Sequence, residues 1–214
     1  TRSHRRGARG AEDMKIHEFR REGAYVCWAN ISGVDPGDTR GFSERRIKKL
    51  EGIRNENEKR RSAGAELMLI HAVTALFPDC APPVAYDADE NGKPYFKEID
   101  GAYFSLSHSG EYAVCAVSGK PVGVDIQALR RLNEGIVKRC FTESERGRLT
   151  DDASFTALWA RKEAVSKAVG LGIQIGFSDI DVLGSEARYG GGRYSVEDID
   201  CRDEGYRMAL SRLI

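Results

Sequence analysis

The stretch "SFTALWARKEAVSKAVG", residues 154–170, places a lysine where a helix facing a core should be apolar. At 100° per residue, Phe155, Leu158, Val165 and Val169 fall in one stripe, and Lys162 falls within it. A charge on that side needs a carboxylate or an anion, or a stem long enough to carry the ammonium to water. Trp159, Glu163 and Lys167 follow at i, i+4 and i+8 along the border of the stripe. Taken alone, Glu163 and Lys167 read as a surface pair worth about 0.2–0.5 kcal/mol. Lys162 does not reduce to that reading, so the fold must supply its partner.

A second segment raises the same question with the opposite sign. "GVDIQ", residues 123–127, puts an aspartate between two strand formers. Alternation along a strand gives Val124 and Ile126 one face and Asp125 and Gln127 the other. That second face is either the wet side of a half-buried strand or a ligand site. Asp125, Glu163 and the amide oxygen of Gln127 are hard oxygen donors of the kind Mg²⁺ takes, with waters and substrate phosphates completing its octahedron. Lys162 and Lys167 beside them would suit a phosphorylated substrate.

Composition narrows the partners. The 214 residues suffice for one large domain or two small halves. Lys plus Arg number 33, as do Asp plus Glu, so no net field advertises a nucleic acid or a membrane. The apolar runs are too short to span a bilayer, and the start lacks the apolar core of a signal peptide. Cysteines 27, 80, 115, 140 and 201 form no C-x-x-C pair, which argues against zinc and disulfide frameworks and fits a reducing cytoplasm.

Along the chain, residues 1–13 carry four arginines and almost nothing apolar, as expected of a disordered basic arm. "AYVCWANIS" reads as the first strand. Two helices follow within residues 43–77, started at Ser43 and Glu44 and interrupted at Gly52 and Asn55, with Leu67, Ile70, Val73 and Leu76/Phe77 as the apolar face. Asn91-Gly92 marks a turn between extended segments, and "AYFSLSHSGEYAVCAVSG" reads as two strands. After the GVDIQ strand come further helices, then alternating segments at "FSDIDVLG", "RYSVED" and "YRMALSRL". Each half runs strand, helices, strands, which implies an α+β chain of two similar α/β lobes, residues 14–118 and 119–214.

Anion-binding candidates lie in the first half. Arg46 and Lys49 stand one helical turn apart, and "KRRS" at 59–62 adds Arg61 and Ser62; both otherwise read as a solvated basic face. Lys93 is by default a solvated turn lysine, and His108 in "FSLSHSG" serves equally as a structural or a binding histidine.

Together "NGKPYF", "FSLSHSG", "GVDIQ", "FTESE" and "WARKEAVSKAVG" resemble, in order and approximate spacing, the Sfp-type 4′-phosphopantetheinyl transferases. The resemblance runs from Met14 onward, and its most specific part is G-x-D-I-x followed by W-x-x-K-E-x-x-x-K. It implies two lobes related by pseudo-twofold symmetry, with the site between them. It implies Mg²⁺-dependent transfer of 4′-phosphopantetheine from coenzyme A to a serine of an apo acyl or peptidyl carrier protein, releasing adenosine 3′,5′-bisphosphate. By the same resemblance Asp125, Gln127 and Glu163 would hold the metal. Glu163, directly or through a water, would be the base, Lys167 would stabilise the leaving group, and Lys162 would join it. Arg46, Lys49, Arg61, Ser62, Lys93, Ser107 and His108 would contact coenzyme A.

Two positions depart from the family pattern: Gln127 stands where a glutamate is usual, and Ser105 where asparagine is frequent. The first leaves open a coenzyme A-binding regulator or degenerate transferase, and a Mg²⁺-dependent pyrophosphate hydrolase is a further reading. Arg130, Arg131, Lys138 and Arg139 would meet an acidic carrier, and two lobes in one chain would act as a monomer.

Overall fold

Ser43 accepts a hydrogen bond from Arg46 N and opens α1 (Glu44–Glu51), and Asn55 accepts from Glu58 N to open α2 (Glu56–Leu76). Each side chain satisfies one of the amides that a helix start leaves open. The computed structural model describes residues 14–214; the expected basic arm, residues 1–13, lies outside the described residues. The buried face of α2 is Ala63, Ala65, Met68, Leu69, Ala72 and Val73, with Leu67, Ile70, Leu76 and Phe77 only partly covered. The expected stripe is thus turned, because the small residues let the helix lie close on its sheet. Gly64 marks the tightest point: a Cβ there would stand 2.6 Å from Ile31 Cγ2.

Two antiparallel sheets carry the chain. The first has the order β1 (Ile16–Arg21), β2 (Ala24–Asn30), β6 (Tyr112–Ser118), β5 (Tyr103–Ser109). The second runs β7 (Val122–Ala128), β10 (Tyr206–Leu213), β9 (Gly192–Ile199), β8 (Glu186–Tyr189). In both, the strand that precedes the long helix pairs with the last strand of its lobe, β2 with β6 and β7 with β10. This shared topology makes the two lobes similar. Strand β1 precedes the segment expected to be first; it pairs with β2 through all six of its residues. A small hairpin, β3 (Tyr86–Ala88) and β4 (Pro94–Phe96), turns at Asn91-Gly92, where Gly92 takes a φ of +84°.

The sheets pack face to face. Val26, Trp28, Val114 and Ala116 meet Val122, Val124, Ile126, Met208 and Leu210 in one core between them. The outer face of the first sheet, with Tyr25, Cys27, Cys115 and Val117, lies against α2. The outer face of the second lies against α5 (Asp152–Val169), where Ala209 meets Ala160 and Ala164. The order is therefore helix, sheet, sheet, helix. Short helices α3 (Glu134–Cys140) and α4 (Glu143–Arg146) precede α5. "FSDIDVLG", expected to alternate as a strand, instead forms a 3₁₀ turn at Phe177–Asp179, and the Lys162 ammonium takes the carbonyls of Phe177 and Ile180.

Strand β7 and α5 touch backbone to backbone. A Cβ on Gly123 would collide with Ala164 O and Ala168 N, so only glycine fits this crossing. Gly123→Ala is expected to push the helix off the strand and to destabilise the fold by about 1–3 kcal/mol, the usual range for overpacking, read from chemical denaturation.

Candidate functional site

The close crossing brings the second-lobe side chains together. Asp125, on the α5 side of β7, is 2% exposed. Its Oδ1 accepts from Ser107 Oγ at 2.6 Å and from Lys167 Nζ at 2.7 Å, and its Oδ2 accepts from Gln127 Nε2 at 2.8 Å. Three elements thus compensate one buried carboxylate: β5, α5 and β7 itself. Glu163 stands one helical turn before Lys167 and lines the same cavity, which has a volume of about 400 Å³. Among the described residues it has no hydrogen-bond or ion-pair partner. Burial first, then the Asp125 carboxylate, push Glu163 above the ordinary carboxylate range, while Lys167 and Arg130 pull the other way. Among the described residues no three of His, Cys, Asp or Glu converge as metal ligands; two carboxylates and one carboxamide line this cavity.

The first lobe supplies the cations. Arg46 reaches the cavity from a buried network: its Nε donates to Glu66 Oε2 at 2.9 Å and its Nη1 to Ser62 Oγ at 2.9 Å, and Tyr86 OH also donates to Glu66 Oε2 at 2.8 Å. Lys49 and His108 line the cavity as well. Burial first, and then Arg46, lower Lys49 from its ordinary value. Burial also pushes His108 down to about 4; Lys49, Lys167 and Arg46 add to this, and Glu58, 3.9 Å away, opposes it. His108 is therefore neutral at pH 7. Of the cations that line the cavity Lys49 alone, among the described residues, has no ion-pair partner, because Arg45 pairs with Asp87, Arg46 with Glu66 and Lys167 with Asp125.

Three of the residues expected to contact coenzyme A do not line this cavity. Ser62 is fully buried and holds Arg46 instead of facing the cavity. Arg61, on the next face of α2, binds Glu58 through Nε at 3.0 Å and Nη2 at 2.6 Å and does not line it. Lys93 turns toward the end of α5, where its Nζ donates to Ala168 O at 2.6 Å, and burial lowers it to about 8. It lines an adjoining, mostly apolar pocket of about 300 Å³ with Phe104, Leu106 and Phe177, a pocket that shares Glu163 and Lys167 with the main cavity.

Lys162 does not join the site. Its ammonium is wholly enclosed and donates to Glu145 Oε2 at 2.7 Å, Phe177 O at 2.7 Å and Ile180 O at 2.5 Å, which exhausts its three protons. Glu145 is equally enclosed and also accepts from Thr142 N and Val182 N. The partner demanded by the apolar stripe is thus a carboxylate from α4, and a phosphate-facing role is corrected on that ground. Sequence reasoning missed Glu66 and Tyr86; nothing local to either marks a partnership with Arg46 formed only in the fold.

Comparison with known proteins adds a family. The 4′-phosphopantetheinyl transferase superfamily model matches residues 121–210. The chain is 30% identical over 165 residues to the 4′-phosphopantetheinyl transferase psf-1 of Bacillus pumilus, covering 72% of this chain and 71% of that protein. It is 32% identical over 175 residues to a 4′-phosphopantetheinyl transferase of Bacillus subtilis, covering 79% and 76%. It is 29% identical over 143 residues to the 4′-phosphopantetheinyl transferase Sfp of Bacillus subtilis strain 168, covering 59% and 62%.

Two outcomes follow from the geometry. Lys162→Met strands a buried glutamate and is expected to lower stability by about 3–5 kcal/mol, read from a denaturant midpoint. The His108 imidazole is expected to show flat proton shifts from pH 8 down through the ordinary histidine range, titrating only near about 4; an ordinary titration curve would contradict its burial.

Proposed function

The chain belongs to the 4′-phosphopantetheinyl transferases, and from that premise we propose that it moves 4′-phosphopantetheine from coenzyme A to a serine of an apo acyl or peptidyl carrier protein, releasing adenosine 3′,5′-bisphosphate. The observation that carries this reading is the joint lining of one cavity by Asp125, Glu163 and Lys167 of the second lobe and by Arg46, Lys49 and His108 of the first. A pyrophosphate with a further 3′-phosphate needs cations at both ends, and both lobes provide them.

The donor set fits a hard divalent cation. Glu163 has no partner among the described residues and is raised by burial and by Asp125, the signature of carboxylates short of positive charge. Asp125, Glu163 and the oxygen of Gln127 would hold Mg²⁺, which when bound neutralises pyrophosphate charge and polarises its oxygens. Glu163 is the group suited to take the serine proton, because its oxygens have no partner among the described residues and burial raises its affinity for a proton. The serine oxygen then bonds to the phosphorus on the pantetheine side. The bond from that phosphorus to the bridging oxygen breaks, and its electron pair leaves with adenosine 3′,5′-bisphosphate. Lys167 stabilises the charge that grows on the departing group. Lys49 and Arg46, with His108 beside them, orient the nucleotide end and keep the pyrophosphate in line.

For the carrier we propose the exposed basic segment Arg130, Arg131, Lys138 and Arg139, which follows directly on the strand that bears Asp125 and suits an acidic surface. Among the described residues no helix is long and apolar enough to cross a membrane. We place the protein in a reducing cytoplasm, on the ground that its five widely spaced cysteines form no C-x-x-C pair.

The test weighs several apo carriers after incubation with the protein, coenzyme A and Mg²⁺. A phosphopantetheine increment is expected, and Asp125→Ala, still folded, is expected to abolish it. Coenzyme A binding with no carrier modified would instead favour a regulator, the reading that Gln127 supports. Adenosine 3′,5′-bisphosphate released without a carrier would identify a hydrolase.

A further inference from the structure

The two sheets are joined along one line by side chains instead of a ladder. Strand β7 pairs with β10 on one side only. On its other side the amides of Val124, Ile126 and Ala128 donate to the hydroxyls of Ser105 at 3.1 Å, Ser107 at 3.4 Å and Ser109 at 3.0 Å. Period-two alternation puts three serines of β5 on one face and three amides of β7 on one edge, so the two sets meet in register. Buried amides at such an edge need acceptors, and here the hydroxyls are those acceptors. Ser105 and Ser107 are 4% and 7% exposed, and Ser109 is half-buried.

The middle hydroxyl serves twice. A serine oxygen can accept and donate together, and Ser107 accepts from Ile126 N while donating to Asp125 Oδ1. Its place opposite Asp125 depends on the register of β5 against β7, which its neighbours on either side hold. Ser109 lines neither cavity, and Ser105 is absent from the cavity that contains Asp125 and reaches only the adjoining apolar pocket of about 300 Å³. We infer that Ser105 and Ser109 are positioning residues for the transfer: by gripping β7 on both sides of Ser107 they fix where Asp125 stands relative to the cations of the first lobe. This rests on the reaction proposed above.

Ser109→Ala and Ser105→Ala test it, with Ser109→Thr as the conservative partner that keeps the hydroxyl; Ser109, less enclosed, gives the milder change to the fold. Three readouts are taken: amide hydrogen exchange at Val124 and Ala128, the carbon-13 resonance of the Asp125 carboxyl at fixed pH, and steady-state kinetics per folded molecule. The alanine variants are expected to exchange faster at the amide that lost its acceptor and to shift the Asp125 resonance. Their kcat is expected to fall by about 10- to 100-fold, the range for reacting groups displaced by about 1 Å, with little change in KM for coenzyme A. Ser109→Thr is expected to restore both resonance and rate. A variant that melts earlier but keeps its kcat per folded molecule shows a merely structural serine and overturns the inference. Should the unaltered protein transfer nothing, the assigned reaction fails, and an unmoved Asp125 resonance in the variants then overturns the positioning role on its own.

Discussion

A carboxylate shut away from water must be answered by charge and hydrogen bonds, and Asp125 sets the arrangement around itself for that reason. Its two oxygens take an ammonium from α5, a hydroxyl from β5 and an amide from its own strand. The ammonium arrives only because Gly123, two residues earlier, lets α5 rest on the backbone of β7. The hydroxyl arrives only because the first sheet packs its inner face against the second. Helix position, sheet packing and cavity wall therefore all bear on how this one buried charge is answered.

Charge is divided unequally across the cavity, and this gives the site its direction. On the second lobe Lys167 is committed to Asp125, which leaves Glu163 as the unanswered carboxylate. On the first lobe Glu66 answers Arg46 deep in the core, while Lys49 is depressed by burial and by that arginine. One wall thus calls for a cation and the other for an anion. A metal-bound polyphosphate, as proposed above, would satisfy both at once, which neither a simple cation nor a simple anion would.

How far the residues announced this depended on whether their partners were local. The period of α5 shows Lys162 among apolar side chains and demands a partner, and Glu145 meets the demand; nearness in sequence to Glu163 and Lys167, as well as the motif resemblance, points the same lysine wrongly toward phosphate. The alternation of GVDIQ placed Val124 and Ile126 in the core and Asp125 on the far face, as found. On α2 the bulky residues suggested one stripe, but the alanines and Gly64 decide which side can approach the sheet, so the helix is turned. That rotation sends Ser62 inward to Arg46 and leaves Arg61 to Glu58. The Arg46–Ser62 pairing joins two helices, and no periodicity within one segment contains it, whereas Arg61 and Glu58 stand at i and i+3 on α2, a local pair that helical spacing allows.

Gln127 follows from the same electrostatics. It shares a face with Asp125, and its amide nitrogen donates to that carboxylate. A glutamate here would set a third negative charge against Asp125 and Glu163, an arrangement stable only while a cation holds them together. The carboxamide replaces that repulsion with a hydrogen bond to Asp125. The same group still offers a neutral oxygen donor to a hard cation. A neutral side chain here thus lets the chain's own hydrogen bonds order Asp125, and would hold a cation less strongly than a third carboxylate.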